Sequence, residues 1–178
     1  MKVAVITDQH FGSHKGSQIY LDYYKRFYDN VFFPYLKKHK ITTVLDLGDT
    51  FDNRKSIDFV SLEWAKENYY DVLRDMGITV HTVVGNHTAY YKNTNKVNTV
   101  ELLLSEYDNV VVYKEPTDAE IGGTSVLFVP WICADNYDLS IKTIRNSSSR
   151  VAMGHLELSG YLARPGFRYD SGMDANLF

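Results

Sequence analysis

Short runs of β-branched and apolar residues alternate, over the first half of the chain, with longer segments in which apolar residues recur at helical spacing. The runs at 3–6, 42–47 and 78–84 predict strands, and the segments 17–38 and 57–76 predict the helices between them. Strands that alternate with helices in this order form parallel sheets with helices packed on their faces. The chain is therefore predicted to fold as α/β layers, with a largely parallel sheet at its start.

The second half of the chain adds predicted strands at 110–113, 124–129 and 150–153 and a short helix at 97–105. A chain of 178 residues suits one domain, since a domain takes about 150 residues. We expect a single domain over 1–178, with central mixed β-sheets flanked by helices. Its last segment, 159–178, is rich in Gly, Arg and Asp and is predicted to be an irregular tail.

The net charge argues against nucleic-acid binding through a general positive field. It is −3 with neutral histidines, so any contact with DNA phosphates must come from local basic residues or from metal ions. The basic run at 37–40 is interpreted as a solvated helix end. Arg54 and Lys55 form a second basic pair and are the candidate DNA contacts.

Cysteine content and hydropathy bear on the compartment. Cys133 is the single cysteine, which excludes a disulfide framework within the chain and favours a reducing compartment. The apolar run 3–6 is too short for the core of a signal peptide, and no run approaches the length of a membrane span. We expect a soluble, cytoplasmic protein that does not bind membranes.

Polar residues of metal-ligand type follow four of the predicted strands directly. The clusters are Asp8-x-His10, Gly48-Asp49-x-x-Asp52, Gly85-Asn86-His87 and Gly154-His155. Each cluster alone is weak evidence, because an isolated Gly-Asp or Gly-Asn is a common turn and a lone histidine is usually structural. Ligands of open α/β sheets bind at the carboxyl ends of the strands, so the four clusters are expected to converge.

The side chains in these clusters are carboxylates, an amide and imidazoles, without a thiolate. Such a mixed oxygen and nitrogen set suits Mn²⁺, Fe, Zn²⁺ or Mg²⁺. A carboxylate shared between two ions can hold them roughly 3.5–4 Å apart, the spacing used for in-line attack at phosphorus. Gly48, Gly85 and Gly154 are expected to let the backbone turn sharply where strand meets loop.

The order of these clusters resembles the calcineurin-like metallophosphoesterase family, whose motifs are D-x-H, G-D-x-x-D, G-N-H-[D/E], G-H and a final G-H-x-H. Within that family the surrounding residues look like the SbcD-type recombination and repair nucleases and their bacteriophage counterparts. The segments that carry this likeness are 48–55, 77–87 and 129–131. Asp52-Asn53-Arg54 replaces the Asp-Arg-Gly continuation of protein phosphatases, which favours the nuclease branch.

The resemblance implies two divalent ions, with Mn²⁺ favoured. Asp8 and His10 would bind the first ion, Asp49 would bridge both, and Asn86 and His155 would bind the second. It also implies phosphodiester hydrolysis by an activated water on a DNA substrate, an SMC-like ATPase partner, and a homodimer formed through the helices after the first two motifs.

His87 would be the catalytic histidine of such an enzyme, beside the scissile phosphate rather than on a metal. Asp52 would orient the loop or a ligand from behind, although a loop or capping role is an equal alternative. Thr88 stands where the family carries Asp or Glu, so it would orient His87 without supplying a charge.

No histidine follows His155 in the chain, so the final G-H-x-H motif has no counterpart. The chain is therefore expected to be a truncated family member, incomplete at the C-terminus, with weak metal binding and low activity. Two alternatives stay open. One is a generic metallophosphoesterase acting on a nucleotide or small phosphodiester, and the other is an inactive fragment that only binds a partner.

Overall fold

A parallel sheet lies at the centre of the computed structural model, which describes residues 2–178. Its strands, in spatial order, are β1 (Ala4–Ile6), β2 (Thr43–Asp46), β3 (Thr79–Val83) and β6 (Val110–Tyr113). The inner strands β2 and β3 are largely buried, whereas Val5 of β1 and Val111 of β6, on the two edge strands, are exposed. The strands predicted at these four places and their parallel order are confirmed.

Two long helical segments cover one face of this sheet, and each is interrupted by a π-helical turn. The first comprises α1 (Ser13–Gly16), α2 (Gln18–Phe27), the π turn Tyr28–Phe32 and α3 (Phe33–His39). The second comprises α4 (Phe59–Ala65), the π turn Lys66–Tyr70 and α5 (Asp71–Asp75), and Gly77 follows it with φ +67°. Both predicted helices are confirmed, and the left-handed Gly77 ends the second as expected.

The buried face of the first helical segment differs from the one suggested by the aromatic spacing. Tyr20, Tyr24, Phe27, Val31 and Tyr35 recur at helical spacing in the sequence, which predicts that they share a buried face. Four of these side chains are exposed, and only Tyr24 is half-buried. The core side chains are instead Leu21, Tyr28, Phe32, Phe33 and Leu36. Aromatic residues occupy both faces of this helix, so spacing alone cannot distinguish them.

An aromatic cluster between the helices and the sheet anchors the loops that follow β1 and β2. Phe11 and Phe51 are both buried, pair as an isolated parallel bridge, and have ring centroids 6.2 Å apart. Phe11 also packs against Tyr28, Trp64 and Tyr69. The residues immediately before each phenylalanine are therefore held at a fixed place above the sheet.

A second sheet faces the first across a shared apolar layer. It contains β7 (Thr117–Ile121), β8 (Thr124–Val129) and β9 (Val151–Gly154), with β7 antiparallel and β9 parallel to β8. Leu45 and Val83 of the first sheet pack with Val126 and Phe128 of the second. The mixed sheets flanked by helices form the layered α/β arrangement expected from the sequence.

Several elements were not predicted. They are β4 (Ala89–Tyr91), β5 (Thr94–Asn98), β7, the helix α7 (Tyr137–Asn146), β10 (Tyr161–Arg164), β11 (Phe167–Tyr169) and a 3₁₀ turn at Ala175–Leu177. The predicted short helix is α6 (Thr99–Leu104), capped by Asn98. The expectation of an irregular tail at 159–178 is wrong in part, because β10 and β11 pair as an antiparallel hairpin. Among residues 2–178, no helix combines the length and apolar character needed to cross a bilayer.

Candidate metal centre

The four polar clusters converge at the carboxyl ends of β1, β2, β3 and β9. Two sets of side chains have ligand-type atoms within 4.8 Å of one another, namely His10, Asp49 and His87, and Asp8, Asp49 and His155. The predicted convergence is confirmed. Asp49 belongs to both sets, so its carboxylate lies between them.

The Asp49 carboxylate is buried and its two oxygens face different partners. Oδ1 accepts the backbone N–H of His87 at 2.8 Å, which fixes the side chain. Oδ2 lies 3.4 Å from Nε2 of His155 and 3.9 Å from Nε2 of His10. These separations exceed those of good hydrogen bonds. One carboxylate oxygen is thus directed at two imidazoles without bonding to either.

The two ring nitrogens of His155 face different partners. Its Nδ1 lies 3.0 Å from the carbonyl oxygen of Leu47, to which it donates. In the neutral ring Nε2 then carries the lone pair, yet it faces Oδ1 of Asn86 at 2.7 Å as well as Oδ2 of Asp49. Nε2 of His155, Oδ1 of Asn86 and Oδ2 of Asp49 make up a mixed nitrogen and oxygen donor set, which would suit a divalent metal.

Asp52 lies close to the other two histidines of the site, His10 and His87. Nδ1 of His87 lies 2.6 Å from the Asp52 backbone carbonyl, and Nδ1 of His10 lies 3.1 Å from the Asp52 carboxylate, out of line for a hydrogen bond. The rings of His10 and His87 are perpendicular, with centroids 5.0 Å apart. Asp52 therefore lies beside Nδ1 of both imidazoles and is hydrogen-bonded to His87 alone.

Thr88 does not contact the imidazole of His87. Its hydroxyl donates to the carbonyl of Gly85 at 3.0 Å and accepts the Gly85 N–H at 2.9 Å. The expectation that Thr88 orients His87 is corrected by this arrangement. A hydroxyl three residues after a turn glycine closes the turn locally, and the Asp52 carbonyl holds His87 instead.

Three residues of the site have left-handed backbones that side chains rarely adopt. Asp8, His10 and Asp49 have φ of +53°, +48° and +52°. Such conformations persist only where the surroundings over-determine them, and they concentrate at functional sites. Loop hydrogen bonds contribute here, since the N–H groups of Asp8 and His10 donate to the carbonyls of Gly48 and Asp49 at 3.0 and 2.9 Å.

The glycines serve close approach more than sharp turning. Of the three glycines singled out in the sequence, Gly48 has positive φ, at +99°. A Cβ added to Gly85 would lie 2.2 Å from Oδ1 of Asp49, and one added to Gly154 would lie 2.1 Å from the Val129 carbonyl oxygen. The expectation of turning therefore holds for Gly48, while Gly85 and Gly154 allow neighbouring chain segments to touch.

Comparison with known proteins decides the family. The profile of calcineurin-like phosphoesterases matches residues 1–172. The chain belongs to the calcineurin-like phosphoesterase family. Exonuclease subunit 1 of Enterobacteria phage T4 is 40% identical to this family member over 134 residues, which make up 75% of this chain and 39% of that protein. The chain thus spans about two fifths of the length of this relative.

Two solved structures were found to resemble this chain in part. The nuclease MPE of Pseudomonas putida has a TM-score of 0.49 and 17% identity, with 93% of this chain and 66% of that chain covered. A protein of unknown function from Aquifex aeolicus has a TM-score of 0.48 and 17% identity, with 94% of this chain and 82% of that chain covered.

The two candidate DNA-contacting residues of this phosphoesterase have different surroundings. Arg54 donates from Nη1 to the Ala89 carbonyl at 3.1 Å, and its guanidinium lies 5.0 Å from the centre of the Trp131 ring. The ammonium of Lys55 is exposed, 5.8 Å from the centre of the Tyr90 ring. Arg54 is therefore engaged within the fold, whereas Lys55 can reach a ligand in solvent.

Sequence reasoning missed a buried carboxyl beneath this phosphoesterase site. Asp46, the last residue of β2, is fully buried, and burial raises the pKa of its carboxyl from 3.8 to about 7. Hydrogen bonds from Thr50, Gly48 and Gln9 oppose that rise. The signal was an acidic residue inside the apolar run 42–47, where a strand covered on both faces has no solvent to offer a carboxylate.

Proposed function

We propose that this phosphoesterase is the nuclease subunit of a DNA-processing complex and hydrolyses phosphodiester bonds with two divalent cations. The observation that carries the proposal is Asp49, whose buried carboxylate belongs to two sets of candidate ligands at once. A centrally shared ligand is typical of two-cation sites acting on phosphodiesters. The 40% identity to a phage exonuclease subunit supports DNA rather than a small phosphodiester as substrate.

Asp8 and His10 would hold one cation, Asn86 and His155 the other, and Asp49 both. Asp8 lies within reach of either set, because its carboxylate is 3.7 Å from Nε2 of His10 and it also groups with His155. Mn²⁺ is favoured, and Mg²⁺, Fe and Zn²⁺ accept the same ligand types. Bound cations would supply Lewis acidity at phosphorus and lower the pKa of water.

His87 would act on the reacting phosphate rather than on a cation. Its Nδ1–H donates to the Asp52 carbonyl, which leaves Nε2 free to face the site. With a proton on Nε2, the ring can donate to the leaving oxygen. His87 is thus a general acid held in one orientation by the main chain of a neighbouring loop.

The test uses the 178-residue chain with Mn²⁺, linear and hairpin DNA, and bis-p-nitrophenyl phosphate. We expect Mn²⁺-dependent cleavage of DNA that is lost in Asp49→Asn and kept in His39→Asn, a change at the end of α3 of a histidine that belongs to neither candidate ligand set. Turnover of the chromogenic ester without DNA cleavage would favour the generic phosphoesterase, and failure to bind Mn²⁺ would remove the proposal.

The assembly is part of the same proposal. Helix α2, the π turn after it and helix α3 expose a row of apolar side chains, Ile19, Tyr20, Tyr23, Phe27, Val31 and Tyr35. Such a row fits a second copy of the chain, and the phage relative is named as a subunit. We therefore propose a homodimer through these helices, an SMC-like ATPase partner, and a role in DNA recombination and repair in the cytoplasm. Sedimentation of Phe27→Glu against the unchanged chain tests the dimer.

A further inference from the structure

Asp46 accepts hydrogen bonds from both loops that carry the candidate cation ligands of the first two motifs. Oδ2 accepts from Nε2 of Gln9 at 3.0 Å and from Oγ1 of Thr50 at 2.8 Å, and Oδ1 accepts the Gly48 N–H at 3.2 Å. Gln9 lies between Asp8 and His10, while Gly48 and Thr50 flank Asp49. One carboxyl group therefore joins the two loops from beneath.

Gln9 is itself held rigidly. Its side chain is 4% exposed, its Oε1 accepts the hydroxyl of Tyr28, and its backbone carbonyl accepts the hydroxyl of Tyr24 at 2.7 Å. Both tyrosines belong to the helical segment that follows the first loop. The network consequently runs from that helical segment through Gln9 to Asp46, and from there to the second loop.

The two loops also pair along their backbones. Asp8, His10 and Phe11 donate their N–H groups to the carbonyls of Gly48, Asp49 and Thr50 at 3.0, 2.9 and 2.8 Å. Backbone pairing sets their separation but leaves the side-chain direction of each left-handed residue to be fixed by neighbours. The Asp46 contacts fall on the residues immediately beside Asp8, His10 and Asp49.

We propose that Asp46 is a positioning residue, which holds the loops of Asp8, His10 and Asp49 in the strained conformation that a pair of cations requires. This inference rests on the proposed function for the nature of the ligand. Asp46 touches neither cation ligands nor substrate, so it acts through Gln9, Gly48 and Thr50. Partners that orient ligands from behind change metal affinity by about 10- to 100-fold when removed.

Thr82 offers a matched control. It is the β3 residue paired in register with Asp46, it is fully buried, and its hydroxyl has no hydrogen-bond partner within residues 2–178. Thr82→Val replaces one hydroxyl by a methyl group in the same buried layer and removes no hydrogen bond to either loop. A loss of function caused by general disturbance of that layer would appear in this control.

The experiment compares Asp46→Leu, Asp46→Asn, Gln9→Leu, Thr50→Val and Thr82→Val in the 178-residue chain. Mn²⁺ dissociation constants are measured by calorimetry, and amide hydrogen exchange is followed over 7–11 and 48–52. We expect Asp46→Leu to weaken Mn²⁺ binding about tenfold or more and to speed exchange in both loops. Asp46→Asn should recover part of both, because the amide of Gln9 and the hydroxyl of Thr50 can reverse their roles.

Gln9→Leu and Thr50→Val each remove one hydrogen bond to Asp46. These two variants therefore test the positioning role if Asp46→Leu does not fold. Unchanged Mn²⁺ affinity and unchanged loop exchange in both would overturn the positioning role while leaving the metal site intact. Failure of the unchanged chain to bind Mn²⁺ would remove the proposed function. In that case amide hydrogen exchange of the two loops still tests the role of Asp46. Faster exchange in the variants would support the role, and unchanged exchange would overturn it.

Discussion

A Cβ built on Gly85 would lie 2.2 Å from the Oδ1 atom of Asp49 and 2.5 Å from its amide nitrogen. The loop after β3 can therefore touch the central carboxylate only because residue 85 has no side chain. A Cβ atom does not approach a non-bonded heavy atom this closely, so any larger residue must displace the loop or Asp49.

Gly85→Ala should consequently abolish measurable Mn²⁺ binding and lower the melting temperature. Overpacking of a fixed site typically destabilises a protein by about 1–3 kcal/mol. Gly123→Ala is the control, because a Cβ there meets no atom within 4 Å and suffers only the left-handed φ of +83°. Calorimetry with Mn²⁺ and thermal unfolding measure the two effects. Wild-type Mn²⁺ affinity in Gly85→Ala would show that the loops are not in contact.

His87→Ala and His155→Ala should have different consequences. Loss of His155 removes a proposed ligand and should weaken Mn²⁺ binding, whereas loss of His87 should leave binding within a few fold. Turnover in His87→Ala should fall by about 10²- to 10⁴-fold, the range of general acid–base contributions. Parallel calorimetry and single-turnover DNA cleavage make the comparison. Equal losses of Mn²⁺ affinity in both variants would mean that His87 is a ligand, as its grouping with His10 and Asp49 permits.

Substitutions of Arg54 and Lys55 should have different effects. Loss of Arg54 should lower the stability of the fold, and loss of Lys55 should weaken DNA binding. Arg54→Ala removes the hydrogen bond to the Ala89 carbonyl and the contact with Trp131, and should destabilise the fold by about 1–2 kcal/mol. Lys55→Ala should leave stability unchanged and reduce the salt dependence of DNA binding by about one phosphate contact. Urea unfolding and DNA binding across a salt series are the measurements. An unchanged salt slope in Lys55→Ala would exclude that contact.

Asp46 should make the stability of the protein depend on pH. Burial raises the pKa of its carboxyl from 3.8 in the unfolded chain to about 7 in the folded one. Between these values the folded state binds the extra proton, so unfolding becomes easier as pH rises from about 4 to about 7 and levels off above. Asp46→Asn does not titrate and should lack this decline. Urea unfolding at a series of pH values compares the two, and identical profiles would contradict the raised pKa.

Much of the site could be predicted because strand and loop signals coincide in the sequence. Asp8, Asp49, Asn86 and His155 each follow a short run rich in apolar residues, and parallel strands place their carboxyl ends together. The prediction needed no knowledge of side-chain packing. It therefore identified which residues meet, although it assigned Thr88 a contact that Asp52 makes.

Other features depend on tertiary packing that the sequence does not display. Tyr28 rather than Phe27 is buried, since aromatic residues line both faces of that helix. Helix α7 was missed because its fully buried positions include Ser140 together with Ile144, a weak apolar pattern. Strand β7 alternates charged and apolar residues over only Thr117–Ile121. Asp46 was read as part of a strand, and its role emerges only from the neighbours that surround it.

The left-handed backbones of Asp8, His10 and Asp49 have a consequence for how the protein responds to a cation. These donors are already set in place by backbone pairing and by the packing of Phe11 and Phe51. Binding should therefore require almost no rearrangement, and the heat-capacity change on adding Mn²⁺ should be small. The same geometry makes the site sensitive to changes in the loops. If a loop relaxed to ordinary backbone angles, all of its candidate ligands would move away from the site together.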